Sequence, residues 1–168
     1  NDPTVVSLSL TTSAPTSFDW EVVLDRGTHP SDPSWGALDS TNTAIVLTTI
    51  DSNSGNMWIW RIDGASGSLD WERVAISGTD SDSDSPRLRL PGPVIVQLDS
   101  DSAPEMILTI PTDSNGRTPG NGAKFIAMEM TSTSEIFNFR TPNGYADTQP
   151  LPIDTDGDSI HDRLCWVT

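Results

Sequence analysis

Short runs of β-branched and aromatic residues recur along the whole chain, and each run ends in a cluster of Gly, Pro, Asn, Asp or Ser. Such runs predict β-strands, and the clusters predict the turns between them. No window carries an apolar stripe at helical spacing that is long enough to compete with these strands. The sequence therefore predicts an all-β protein. The clearest predicted strands are residues 5–10, 44–50, 57–62, 69–76, 94–98, 105–110, 123–130, 135–140 and 163–167.

The chain is strongly acidic, with 24 Asp and Glu against 9 Lys and Arg and a net charge of -15 over 168 residues. A nucleic-acid partner is not expected, because binding to phosphates needs clustered Lys and Arg. Membrane insertion is not expected either, since no stretch approaches the roughly 20 apolar residues of a membrane span. The charge instead favours cations and basic protein partners.

The strongest chemical pattern is the C-terminal acidic loop, residues 154–162. Four aspartates occupy positions 1, 3, 5 and 9 of this segment: Asp154, Asp156, Asp158 and Asp162. Alternate residues of a tightly wound loop turn their oxygens toward one centre, and Gly157 permits the positive-φ bend that the winding needs. Such converging carboxylates would repel one another unless a hard cation lay among them. Ca²⁺ takes about six to eight oxygen ligands, so we expect Ca²⁺ here, with the backbone carbonyl of Ile160 as a further ligand. The alternative is a solvated acidic turn.

A weaker copy of this pattern, the central acidic loop, lies 57 residues earlier at residues 97–105. Three acids of this loop align with acids of the C-terminal acidic loop. They are Asp99, Asp101 and Glu105, which align with Asp156, Asp158 and Asp162 in that order. Gln97 stands where the C-terminal acidic loop has Asp154, and Ser100 replaces Gly157. Because the Gln97 amide oxygen can ligate but carries no charge, we expect Gln97 and the three acids to bind Ca²⁺ more weakly, or not at all. Residues 49–53 form a third copy with little ligand character.

Each acidic loop lies between two predicted strands, and the repeat of about 50–60 residues carries about four short strands, which is typical of a β-propeller blade. We therefore predict two to three blades of four-stranded antiparallel sheets in residues 37–168. Residues 1–36 are rich in Ser, Thr and Pro and remain unassigned. Because a propeller usually closes with about four to eight blades, we expect an incomplete propeller. It would be completed by the rest of a longer polypeptide, which we favour, or by other chains.

Residues 44–168 resemble a known group of propellers. Residues 60–71 read W-x-I-D-x-x-S-G-x-L-x-W, and residues 93–105 read P-V-x-V-x-L-D-x-D-x-x-P-E. These motifs are similar to propellers that mix PQQ-type blades with FG-GAP-type calcium loops. Residues 152–163 are similar to the P-V-D-x-D-G-D-x-x-x-D-R loop in the C-terminal propeller of PilY-type proteins, the calcium-binding adhesins and assembly factors of type IV pilus tips. The resemblance implies calcium ligands at Asp154, Asp156, Asp158, Ile160 (carbonyl) and Asp162.

The pattern and the resemblance together imply a non-enzymatic, calcium-stabilised propeller segment that acts in adhesion or in assembly of a surface filament or receptor. An extracellular or cell-surface location is expected, because such a loop fills readily in millimolar calcium. Its partners would be proteins or the remaining blades of the same polypeptide.

Two other functions stay open. The first is a quinoprotein-like propeller enzyme. Against it, Trp58, Trp60 and Trp71 have the spacing of packed strand residues, and no Ser/His/Asp arrangement or phosphate-binding loop is visible in the sequence. The second is a self-assembling extracellular filament subunit that pairs through exposed strand edges.

The single cysteine, Cys165, has no partner for an internal disulfide. Its neighbours Leu164, Trp166 and Val167 are apolar, so the sequence predicts a buried and inert thiol. A catalytic cysteine is not expected.

Overall fold

The computed structural model describes residues 3–7, 19–27, 29–39, 41–50, 56–76, 90–110, 122–132, 134–142 and 148–167. Every regular element in these ranges is a β-strand, which confirms the predicted all-β class. Within the same ranges there is no helix that could cross a membrane. The third, degenerate acidic copy lies mostly outside the described residues.

Strands form where the sequence predicts them and also in the unassigned N-terminal segment. The described residues form thirteen strands. They are β1 (Thr4–Ser7), β2 (Trp20–Val23), β3 (His29–Pro30), β4 (Ser34–Ala37), β5 (Thr43–Ile50), β6 (Met57–Asp63), β7 (Leu69–Ile76), β8 (Val94–Val96), β9 (Glu105–Ile110), β10 (Lys124–Glu129), β11 (Glu135–Arg140), β12 (Leu151–Ile153) and β13 (Arg163–Cys165).

These strands form four antiparallel sheets that follow one another along the chain. An N-terminal strand pair, β1 with β2, comes first. The first central sheet has the order β3-β5-β6-β7, with β4 also paired to β5. The second central sheet is a four-stranded meander of β8, β9, β10 and β11, and a C-terminal strand pair of β12 and β13 follows it. One of the four sheets thus has the predicted four strands, and none of the sheets seen in the described ranges closes on itself.

The two central sheets pack face to face. Alternate residues of each strand point to opposite faces, so one set from each sheet meets at the interface. Ala44 and Met57 represent the first central sheet in this core, and Met106, Leu108 and Met128 represent the second. All are essentially inaccessible to solvent. The interface therefore buries a continuous apolar layer, which is the main source of stability in such a fold.

The outer face of each central sheet is also covered. Trp20 of the N-terminal strand pair packs with Leu47 and Trp60 on the first central sheet. Leu164 and Trp166, in and just after β13, pack with Phe125 on the second. The middle strands of both central sheets, β5 and β6 in the first and β9 and β10 in the second, are thus buried on both faces, and the sheets stack in four layers in chain order. This explains why β9 is apolar along most of its length rather than alternating with polar residues.

Cys165 is exposed, so the prediction of a buried thiol was wrong. The side chains of Leu164 and Trp166 face the second central sheet. Because successive side chains of a strand point to opposite faces, Cys165 between them faces away from that sheet.

Candidate metal sites

The C-terminal acidic loop connects β12 to β13, and its conformation is held by Asp154. The carboxylate of Asp154 accepts hydrogen bonds from the backbone N–H groups of Gly157 at 2.7 Å and Ser159 at 2.8 Å. A longer bond of 3.2 Å comes from the N–H of Asp156. These donors, the N–H of Gly157 foremost, hold the pKa of Asp154 below its ordinary value. Asp154 is therefore anionic at neutral pH, and the loop is wound around its carboxylate.

Two residues of this loop adopt left-handed backbone conformations. Gly157 has φ +83°, and Ser159 has φ 74°. A Cβ atom at Gly157 would meet nothing within 4 Å, so backbone conformation rather than space favours glycine there. Ser159 adopts the same left-handed conformation although its Cβ atom disfavours it, at a cost of about 1–2 kcal/mol.

The winding brings three of the predicted ligands together. Carboxylate oxygens of Asp154, Asp156 and Asp158 all lie within 4.8 Å of one another. Asp156 and Asp158 are exposed and each accepts a bond from a backbone N–H two residues later, at 3.3 Å and 2.8 Å. Each of these carboxylates is thus oriented by its own loop, and the group could hold a metal ion.

Asp162, the fourth carboxylate of the predicted ligand set, does not belong to that group. The Asp162 carboxylate accepts a hydrogen bond from the Thr155 hydroxyl. The backbone N–H of Asp162 donates to the carbonyl of Ile153 at 3.1 Å and so closes the base of the loop. Ile160 is half-buried, and its N–H is the one that donates to Asp158.

The central acidic loop connects β8 to β9 and is braced differently. The side-chain amide of Gln97 donates to the backbone carbonyls of Asp99 at 2.9 Å and Asp101 at 2.8 Å. Because both acceptors are carbonyl oxygens, the amide nitrogen must face them. Gln97 therefore stabilises the central acidic loop from the position that Asp154 occupies in the C-terminal acidic loop. Asp99 and Asp101 in turn accept bonds from the N–H groups of Asp101 and Ala103, at 2.8 Å and 2.7 Å.

A second acidic group forms around this loop, and we call Asp99, Glu105 and Glu129 the buried-glutamate cluster. Their carboxylate oxygens lie within 4.8 Å of one another. Glu105 begins β9, and Glu129 lies directly opposite it in the β9–β10 pair. Asp101, which the sequence predicts as a ligand, is not a member of this cluster.

Glu105 has the most unusual environment of the three. It is 0% exposed, although it is an acid. One carboxylate oxygen accepts a bond from the N–H of Leu98, and the other, Oε1, has no hydrogen-bond partner among the described residues. Burial raises the pKa of Glu105, and the negative charges of Asp99 and Glu129 raise it further. The ionised form is therefore destabilised as long as no cation is present.

Glu129 is not among the ligands that the sequence predicts. It lies 24 residues after Glu105 and belongs to no acidic loop motif. Only the register of β10 against β9 brings the two glutamates together. The available signal was an acid near the end of the predicted strand of residues 123–130, whose other residues apart from Lys124 are apolar, so that a charge is not expected there without a partner.

The two acidic loops meet through His161. Its backbone N–H donates to the carbonyl of Gln97 at 2.7 Å, and its ring nitrogen Nδ1 lies 3.3 Å from the N–H of Gln97. The arrangement supplies only oxygen donors in both acidic groups, so each group could hold a metal ion of the kind that prefers oxygen.

Comparison of the chain with models of protein families, with curated proteins and with solved structures finds no match.

Proposed function

We propose that this chain is a calcium-stabilised segment of an extracellular β-propeller. In this proposal it is not an enzyme, and it acts in adhesion or in assembly of a surface filament or receptor. Its partners are proteins or further blades. The observation that carries the proposal is the grouping of Asp154, Asp156 and Asp158 within 4.8 Å, in a loop between two strands.

The stacking of the sheets supports the propeller part of the proposal. In a two-sheet sandwich each sheet buries one face and exposes the other. Here both central sheets are covered on both faces, and the layers follow chain order. Blades of a propeller pack in this way, because each blade lies between the one before it and the one after it. The two-stranded pairs at the ends then correspond to incomplete blades.

The chemistry of the C-terminal acidic loop supports calcium in particular. Its donors are carboxylates, which suit hard cations rather than zinc or copper. An exposed loop of carboxylate ligands suits Ca²⁺, whose coordination geometry is flexible, better than Mg²⁺, which needs a near-ideal octahedron. The loop lies beside the second central sheet through the bond between His161 and Gln97. An ion here stabilises the contact between two layers, and binding adds to the free energy of unfolding.

Replacement of Asp156 tests the calcium role. Thermal melts with and without Ca²⁺ should show a calcium-dependent rise in Tm that is smaller in Asp156→Ala than in the wild type. Without calcium the two proteins should melt at similar temperatures, since Asp156 makes only a long 3.3 Å bond within its loop. Asp25→Ala, an exposed acid far from either loop in sequence, is the control. An equal calcium-dependent rise in all three proteins would contradict the proposed site.

The packing of the tryptophans argues against the quinoprotein-like alternative. Trp60 is buried, and Trp58 packs beside it against the N-terminal strand pair. Trp71 packs against the core between the central sheets. Side chains used in this way are not free to stack on a cofactor.

One observation favours the self-assembling filament subunit as a second candidate. Strand β11 is the edge of the second central sheet, and Ile136 and Phe137 on it are 43% and 39% exposed. An apolar edge strand is a template for pairing with another chain. Analytical ultracentrifugation over a range of concentrations tests this: self-association should appear and should be lost in Phe137→Lys. A monomer at all concentrations would exclude this candidate.

A further inference from the structure

We propose that Asp99, Glu105 and Glu129 form a second divalent-cation site, suited to a hard ion such as Ca²⁺, with Glu129 as a ligand from the neighbouring strand. This inference goes beyond the proposed function, because the cluster shares no ligand with the C-terminal acidic loop. Its ligand set differs from the one that the sequence pattern predicts, because the cluster includes Glu129 and does not include Asp101.

The buried side chain of Glu105 points to a missing ligand. It is 0% exposed, and its Oε1 atom has no hydrogen-bond partner among the described residues. A buried polar atom without a partner is costly, so native proteins rarely leave one. This carboxylate lies within 4.8 Å of those of Asp99 and Glu129. A cation among the three would satisfy the unpartnered oxygen directly.

The position of Glu129 adds a second argument. Glu105 and Glu129 lie directly opposite each other in an antiparallel strand pair, where like charges destabilise the sheet. The ion pairs of the described residues involve Arg26 and Arg61, and none of them reaches this cluster. Among the described residues, therefore, no basic side chain offsets this repulsion through an ion pair. A divalent cation would turn it into attraction.

The donor set indicates the class of ion. Three carboxylates supply three to six oxygens, depending on how many bind through both atoms, and Ca²⁺ accepts about six to eight. No nitrogen or sulfur donor belongs to the cluster, so a soft transition metal is disfavoured. Asp99 is exposed and Glu129 is half-buried, which leaves a path for the ion and for water to complete the shell.

A bound ion would connect three parts of the second central sheet. Asp99 follows β8, Glu105 begins β9 and Glu129 ends β10. The link therefore runs across the sheet, whereas an ion in the C-terminal acidic loop stays within one connection. Occupancy should order the central acidic loop and hold the ends of these strands together.

Calorimetric titration of the full chain with Ca²⁺ tests the inference with four variants. The wild type should bind two ions per chain, one for each acidic group. Glu129→Gln should bind one, and so should Asp156→Asn. The double variant should bind none. Asp101→Asn also removes one negative charge, from the central acidic loop rather than from the cluster, so it should still bind two.

Folding is separated from binding in this design. Glu129→Gln keeps the size of the side chain and removes one of two opposing charges, so without calcium it should melt no lower than the wild type. If Glu129→Gln binds as many ions as the wild type, the inference is overturned. If instead Asp156→Asn binds as many, the proposed function fails while the cluster stands. A wild type that binds no calcium overturns both.

Discussion

The backbone carbonyl of Gln97 accepts a hydrogen bond from the backbone N–H of His161 at 2.7 Å, across 64 residues of sequence. The two residues belong to the two acidic loops. The bond joins the end of β8 to the loop between β12 and β13, and so attaches the C-terminal strand pair to the second central sheet. Both candidate metal sites therefore lie at one junction between layers.

The backbone of the C-terminal acidic loop predicts opposite effects at two neighbouring positions. Gly157→Ala forces an alanine into φ +83° and should lower the free energy of unfolding by about 1–2 kcal/mol. Ser159→Gly relieves the same strain at φ 74° and should raise it by about 0.5–1 kcal/mol, part of the relief being lost to the freer unfolded chain. Urea unfolding without calcium measures both. A loss of stability in both variants would show that the loop has another conformation.

The bracing role of Gln97 predicts the result of giving the central acidic loop a fourth carboxylate. By sequence alignment, Gln97→Asp should tighten calcium binding. The geometry predicts the reverse, because a carboxylate cannot donate to the carbonyls of Asp99 and Asp101. Loss of these bonds should cost about 1 kcal/mol and weaken calcium binding at this loop. Thermal melts and calcium titration measure the two effects.

Ser100→Asp is the matched control for this experiment. It adds the same charge to the same loop and leaves the amide of Gln97 in place. It should therefore destabilise the protein less than Gln97→Asp does. Tighter binding in Gln97→Asp would restore Gln97 as a ligand position.

Two buried threonines, one on each central sheet, differ in the hydrogen bonding of their hydroxyls, and this difference predicts opposite effects of mutation to valine. The Thr49 hydroxyl accepts a bond from the indole N–H of Trp60 at 2.7 Å and donates to the carbonyl of Arg26 at 2.8 Å. Thr49→Val should therefore cost about 1–3 kcal/mol, since it leaves a buried N–H unpaired.

The Thr109 hydroxyl is equally buried but has no partner among the described residues. Thr109→Val should leave stability unchanged or raise it by up to about 1 kcal/mol. Chemical denaturation of the two variants gives the comparison. Equal losses would mean that Thr109 has a partner in solution.

The turn between β6 and β7 predicts a pH dependence. The Asp63 carboxylate accepts bonds from the Ser66 hydroxyl at 2.6 Å and the Ser66 N–H at 2.7 Å, and these hold its pKa below the ordinary 3.8. A lowered folded-state pKa contributes stability above pH 3.8 that is lost as the pH falls through the folded-state value. Asp63→Ala should therefore lower Tm clearly at about pH 7 and much less at about pH 2.5. Ser66→Ala should show part of the same pH dependence. A Tm difference that is constant with pH would contradict the assignment.

Local order along the chain made much of this protein predictable. The run of residues 44–50 and the run of residues 105–110 appear as β5 and β9, because β-branched and apolar runs between turn residues favour extended structure wherever they are placed. The grouping of Asp154, Asp156 and Asp158 is also local. Their spacing and Gly157 suffice to wind one loop, so no other segment is needed to bring the carboxylates together.

The tertiary structure decided what depends on register and on faces. Glu129 meets Glu105 because β10 pairs with β9 in one register, and a shift by one residue would turn it to the other face. The stacking of both central sheets between covering layers likewise depends on contacts between distant segments. The physical reason is the separation in sequence of the interacting residues. The strands and the wound acidic loop form through interactions over a few residues, so the sequence alone determined them. The buried-glutamate cluster needs strand pairing and burial, which only the folded sheets provide.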